Sequence, residues 1–265
     1  MSTISDYLQP AMLLHALGNT TYSAATNLTV KLYTAPPTGA GGGTEVTGGS
    51  YAGVVLTNNV TNFPQCATSG VVTKTNGSVI QFPTATAAWG TVTHWGITDG
   101  TNLLVWGPMT PNTYVASGDT PKIAIGALTI TFTNTSAGGF TEAIRRKLLD
   151  LVFGKVTYVK PTTVYLGALT AISGETITEW SDGNYSRNTA SFTTATGGSV
   201  PNAAGVAITN GSGTGSAGAT LNGFGIWDDA TSGNLLVCGP LTTSRTPSVS
   251  DQVQFSTGAV IVTIQ

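Results

Sequence analysis

The chain is one module written twice, and this duplication constrains its fold more than any single residue does. Residues 102–108 read NLLVWGP and residues 234–240 read NLLVCGP, while TEVTGGSY at 44–51 answers TEWSDGNY at 178–185. Two further pairs keep the same order: VTHWGI at 92–97 with LNGFGI at 221–226, and IAIGALTITF at 123–132 with FSTGAVIVTI at 255–264. Landmarks in one order in both halves mean a tandem duplication. The 265 residues therefore divide into repeats of roughly 130, close to the commonest domain size. The boundary is expected in the linker-like TNTSAGG at 133–139, giving a first β-rich repeat at 1–133 and a second at 134–265.

Periodicity predicts the same elements in each copy. In the second, Thr141 suits an N-cap, Phe140, Ile144, Leu148 and Val152 form an i, i+4 stripe, and Gly154 can stop the helix in the left-handed region. Ile4, Leu8, Met12, Ala16 and Gly18 match them in the first copy, where Pro10 sets the helix start close to residue 10. The period then changes to two: Leu28, Val30 and Leu32 in one copy, Val164, Leu166 and Ala168 in the other. Glycine-rich loops are expected at 36–50 and 170–184, ending at Tyr51 and Tyr185. Turn signals follow at Asn76-Gly77, Asp99-Gly100, Asp182-Gly183 and Asn210-Gly211. The predicted class is all-β: two tandem antiparallel β-sandwich or barrel-like domains, each preceded by a short N-terminal α-helix.

Composition narrows the function classes. Charged residues are only 8% of the chain, against about 25% in an ordinary globular protein. Yet 40% are apolar, which favours a folded chain over a disordered one. A net charge of −2 with no basic stripe gives no reason to bind nucleic acid. No run approaches the roughly 20 apolar residues of a membrane span. The short stretch Ala11–Leu17, broken by His15, does not read as a signal peptide. Cys66 and Cys238 sit at non-equivalent positions and are expected to be free thiols.

No residue set reads as catalytic, cofactor-binding or metal-ligating. His15 and His94 have no Cys/His/Asp cluster around them. Glu45 and Glu179 are copies of one loop position, a poor arrangement for two carboxylates flanking one bond, and are expected to orient the loop. GAGGGT at 39–44 lacks the Gly-Lys-Ser/Thr ending of a phosphate loop, and Asp228-Asp229 lacks calcium-loop spacing and reads as a hairpin turn. One charge cluster stands out: Glu142, Arg145, Arg146, Lys147 and Asp150 on the second helix, against Asp6 and His15 on the first. It reads as a solvated helix face, or alternatively as a face turned to an acidic neighbour. Arg145, Arg146 and Lys147, with Trp180 and Trp227 as possible aromatic platforms, form the candidate interaction surface.

LYTAPPTGAGGGTEVTGGSYAG at 32–53, FPTATAAWGTVTHWGITD at 82–99 and NLLVWGPMT at 102–110 resemble a domain of tailed-bacteriophage structural proteins, variously tail fibre, minor structural or capsid decoration proteins. The second repeat follows the pattern more loosely, with LGALTAIS at 166–173. The resemblance implies a non-enzymatic virion protein made in the host cytoplasm. Its implied partners are the major capsid protein or other virion proteins, with further copies of itself in a dimer or trimer, and neither nucleic acid nor membrane. The leading expectation is a capsid decoration (cement) protein. A tail-fibre or baseplate component contacting the host surface or glycans comes second, and a carbohydrate-binding module third.

Overall fold

The computed structural model describes residues 2–133, 139–181, 185–209, 219–248 and 251–264. The first repeat runs β1 (Thr3–Ile4), α1 (Leu8–Ala16), β2 (Asn27–Ala35), β3 (Thr44–Glu45), β4 (Val54–Thr57), β5 (Thr73–Thr75), β6 (Ile80–Gln81), β7 (Gly90–Thr98), β8 (Leu103–Val115), β9 (Lys122–Ile123) and β10 (Thr129–Thr131). The second runs β11 (Gly139–Phe140), α2 (Glu142–Val152), β12 (Val164–Ser173), β13 (Thr176–Glu179), β14 (Asn188–Ala190), β15 (Ser199–Pro201), β16 (Val206–Thr209), β17 (Leu221–Trp227), β18 (Leu235–Arg245), β19 (Gln252–Phe255) and β20 (Ile261–Thr263). Element for element, the two lists are the same. The expected linker falls largely outside the described residues, as do the turns Asp182-Gly183 and Asn210-Gly211.

Each repeat is two-layered. Its main sheet has the order β1-β8-β7-β2-β3 with β4 also on β2, repeated as β11-β18-β17-β12-β13 with β14 on β12. All pairings are antiparallel. The second layer is built from two short ladders, β5–β10 and β6–β9 in one copy, β15–β20 and β16–β19 in the other. In the main sheet, period two places Val30, Ile97, Val105 and Ile4 opposite one another on the inner face, all essentially without solvent exposure. Leu166, Ile226 and Val237 repeat that row.

Three local expectations change. Ile4 and Phe140 precede the helices, in β1 and β11, where they extend the buried stripe by joining the sheet. Helix α1 begins at Leu8, so Pro10 lies in its first turn, where an N–H has no intrahelical partner to lose. Within the expected loop at 170–184, residues 170–179 instead belong to the β12–β13 hairpin around Gly174, whose φ of 61° permits the turn. Alternation along Ala171, Ile172 and Ser173 carries β12 past the point where the first repeat has already turned away.

The helices cross between repeats. Helix α1 packs on β15 of the second repeat and α2 on β5 of the first, and the two helices touch each other. Each remains tied to its own sheet through the short strand before it, β1 on β8 and β11 on β18. One hydrophobic cluster consequently runs from Ile4 to Ile264 through both repeats.

Candidate functional site

The seam between the repeats is where polar side chains concentrate. From α2, Asp150 accepts hydrogen bonds from Lys74 Nζ (2.7 Å) and the Cys66 amide (2.9 Å) through one carboxylate oxygen. The Lys74 side chain is fully buried, so the pair is largely removed from water. Arg146 reaches into the first repeat, donating to Ala67 O and Gly70 O as well as to Glu142 one turn back. At the helix end, Asn58 Nδ2 donates to Val152 O (2.9 Å) and Asn58 Oδ1 accepts from Gly154 N (2.6 Å). Gly154 has φ 119°, as its expected stop role requires, and a Cβ there would lie 2.9 Å from Phe63 O across the seam.

At the first helix the matching contacts are made by His15, Asn19 and Lys160. His15 Nδ1 accepts from Tyr22 N (3.1 Å) and its Nε2 lies 2.9 Å from Tyr158 O, which fixes the proton on Nε2. Burial holds the His15 pKa below its ordinary value, so the ring is neutral at pH 7. Asn19 Nδ2 donates to Phe192 O (3.1 Å), and Lys160 Nζ to Gly18 O (2.8 Å). Gly18 (φ 77°) meets Pro161 O as Gly154 meets Phe63 O.

The outer faces of the two main sheets share a framework. Tyr51 Oη accepts from Leu32 N and donates to Glu45, and Tyr185 Oη accepts from Ala168 N and donates to Glu179. A cation completes each set from a different position. In the first repeat it is Lys31 on β2, with Gly53 opposite; in the second it is Arg187, with Gly167 on β12. Arg187 holds Glu179 with Nε and Nη2, both at 2.7 Å, and stacks 4.0 Å from the Trp227 ring. Gly167 is required there, because a Cβ would collide with Tyr185 Oη and the Trp227 ring. The two glutamates are thus braces at a strand–loop junction.

Trp227 fills the outer face of the second repeat, lying over Gly225 and joining Leu169 and Cys238 in a small apolar cluster. The register gives the first repeat Thr98 where Trp227 stands, Tyr33 where Leu169 stands and Trp106 where Cys238 stands. The Tyr33 ring and Leu103 cover Gly96 where the Trp227 ring covers Gly225, and a cavity of about 460 Å³ lies beside them, against Lys31, Thr98 and the loop 39–43.

The candidate interaction residues fall on both sides of the surface. Trp180 and Trp227 are 1% and 3% exposed, so neither offers a solvent-facing ring. Arg145 and Arg146 turn inward, Arg145 donating to Phe132 O, Phe140 O and Glu175. Only Lys147 is exposed, its ammonium 5.5 Å from the Tyr158 ring. The charged face of α2 is therefore mainly a clamp on the chain's own first repeat. Thr141 holds the N-cap position, but its hydroxyl donates to Leu235 O and Glu175 Oε2 accepts the Glu142 amide in its stead (2.6 Å).

Asp228 and Asp229 accept backbone amides of Asn234, Thr231 and Ser232 and shape the β17–β18 turn. Among the described residues no group of three or more His, Cys, Asp or Glu could hold a metal, and no helix is long and apolar enough to cross a membrane. Both cysteines are free; burial, then Asp150, pushes the Cys66 thiol up to about 12, and burial takes Cys238 to about 11.

A family model described as podophage GP4 fiber I protein gp80 matches residues 3–131 and, again, residues 139–263. None of the curated proteins matches the chain.

Proposed function

The chain belongs to the podophage GP4 fiber I protein gp80 family, and from that membership we propose that it is a tail-fibre component of a tailed-phage particle. It is a virion structural protein and not an enzyme. The observation that carries the tail position is the fibre description of a family whose model fits both repeats, nearly end to end. This moves support from the capsid decoration role, the leading expectation from sequence, to its alternative. Its partners in this reading are other tail proteins and further copies of the same chain, as a dimer or trimer. The shared core fits a structural role, since the two repeats pack as one hydrophobic body.

The deciding measurement is the copy number of the chain per purified particle, by quantitative mass spectrometry against the major shell protein. A ratio of a few per cent, with the chain absent from tailless heads, is expected. Near parity, or a simple fraction of it, would return the chain to the capsid lattice as cement.

A further inference from the structure

We propose that the cavity on the outer face of the first repeat is a binding site for a neutral saccharide unit. It is bounded by the main sheet through Lys31, Tyr33, Thr98 and Leu103, and by the loop 39–43, Tyr7 and Asn102 around its mouth. Its size lies within the roughly 300–1,000 Å³ of ordinary small-ligand sites.

Four observations converge on this ligand class. The ion pair in the site, Lys31 with Glu45 at 3.0 Å, sums to no net charge, so neither a phosphate nor a carboxylate is favoured over a neutral molecule. Both partners are about one-third exposed, leaving donor and acceptor capacity for a ligand rich in hydroxyls. Thr98 is 7% exposed, lines the cavity, and has no hydrogen-bond partner for its hydroxyl. A ligand hydroxyl would supply the partner that this buried group lacks. Finally, Tyr7 is 43% exposed at the rim, a ring available to cover the apolar face of a sugar.

The second repeat acts as an internal control. There the same framework of Glu179 and Tyr185 is retained, but the Trp227 ring covers both Gly225 and Gly167 with Arg187 stacked on it, whereas in the first repeat Tyr33 covers Gly96 and Lys31 stands in place of Gly167. Where the second repeat carries the Trp227 indole, the first carries only the Thr98 side chain, and the cavity lies against it. The inference goes beyond the fibre reading and does not depend on it, because it concerns what the purified chain binds wherever it sits in the particle.

The test is saturation-transfer NMR on the intact chain with free glucose, galactose, mannose, N-acetylglucosamine and N-acetylgalactosamine. Binding of at least one is expected, with a dissociation constant around 1 mM, as for a single shallow site. The triple variant Lys31→Gly/Tyr33→Leu/Thr98→Trp gives the first repeat the residues of Gly167, Leu169 and Trp227 and should abolish the signal with the thermal melt retained. Thr98→Val, which keeps the shape and removes the hydroxyl, should weaken binding about 10-fold, the loss of one buried hydrogen bond; Tyr7→Ala should weaken it as well. If the plugged variant does not fold, these two single variants decide. Silence from every sugar at about 10 mM, or binding that all variants leave unchanged, overturns the proposal. The copy-number result touches neither outcome.

Discussion

At the scale of residues, the duplication supplies its own reference for the buried ion pair. Counting along the matched elements, Asp150 on α2 corresponds to Leu14 on α1, and Lys74 on β5 to Val200 on β15. One crossing of the seam thus holds a salt bridge where the other places two apolar residues. Removing one partner of a buried pair strands a charge and typically costs about 3–5 kcal/mol, whereas replacing both is often neutral. Asp150→Leu alone should therefore lose about 3–5 kcal/mol in urea unfolding. Lys74→Val/Asp150→Leu should recover most of that loss. A double variant no better than the single would mean that the pair does more than fill its space. Little of this could be read beforehand. Asp150 is visible as one charge of a helical cluster, but Lys74 lies in Thr-Lys-Thr, an unremarkable stretch whose lysine becomes buried only because α2 covers it.

At the scale of elements, the turns of the second layer are held by one asparagine in each repeat. Asn76 Nδ2 donates to Ser78 O and Ala124 O, and its Oδ1 accepts from Leu128 N. Asn202 does the same with Ala204 O, Ser256 O and Val260 N. Each knots the turn after β5 or β15 to the turn before β10 or β20. Asn202→Ala would leave buried backbone groups unpaired, at about 1–3 kcal/mol for the first lost bond and less if water enters. In a chain of this size that is a fall in Tm of roughly 2–12 °C by calorimetry. Asn76→Ala should behave alike, since the geometry is the same; unequal losses would show that the repeats differ in local stability.

Elements with strong alternation, such as β2, β7, β12 and β17, were legible from sequence, as were the helices and their glycine stops. The Asn76-Gly77 pair signalled a turn, but not that the asparagine tied two turns together, because its partners lie about fifty residues away. The β12–β13 turn region at 170–179 is not legible because its glycine and threonine content resembles a loop, and the extension of β12 is held by pairing with β13. For the same reason Trp180 and Trp227 looked available as platforms: a Trp beside a turn reads as exposed until the strand it caps is known.

At the scale of the whole molecule, the repeats visible in the sequence are not independent bodies. Each second layer is completed by the helix of the other copy, so a fragment of residues 1–133 would expose the surface around β5 that α2 covers. That fragment alone should be insoluble or self-associated. Co-expressed with residues 139–265, it should form a one-to-one complex by size exclusion with light scattering, and the intact chain should unfold in a single cooperative transition. A monomeric fragment with its own sharp transition would show that the exchanged helices are dispensable. Sequence reasoning reached the repetition and not the exchange, because an amphipathic stripe states that a helix is covered without stating by which copy.

The exchange of helices also bears on valency. Two identical single-repeat chains packed in this way would carry two equivalent outer faces, and any change opening one would open both. Joined in a single chain, the copies can keep their shared interior while one face is closed by Trp227 and the other left open at Thr98. Among the described residues each chain then presents the outer-face cavity once, so if it binds, an assembly of these chains counts such positions by the number of chains it contains.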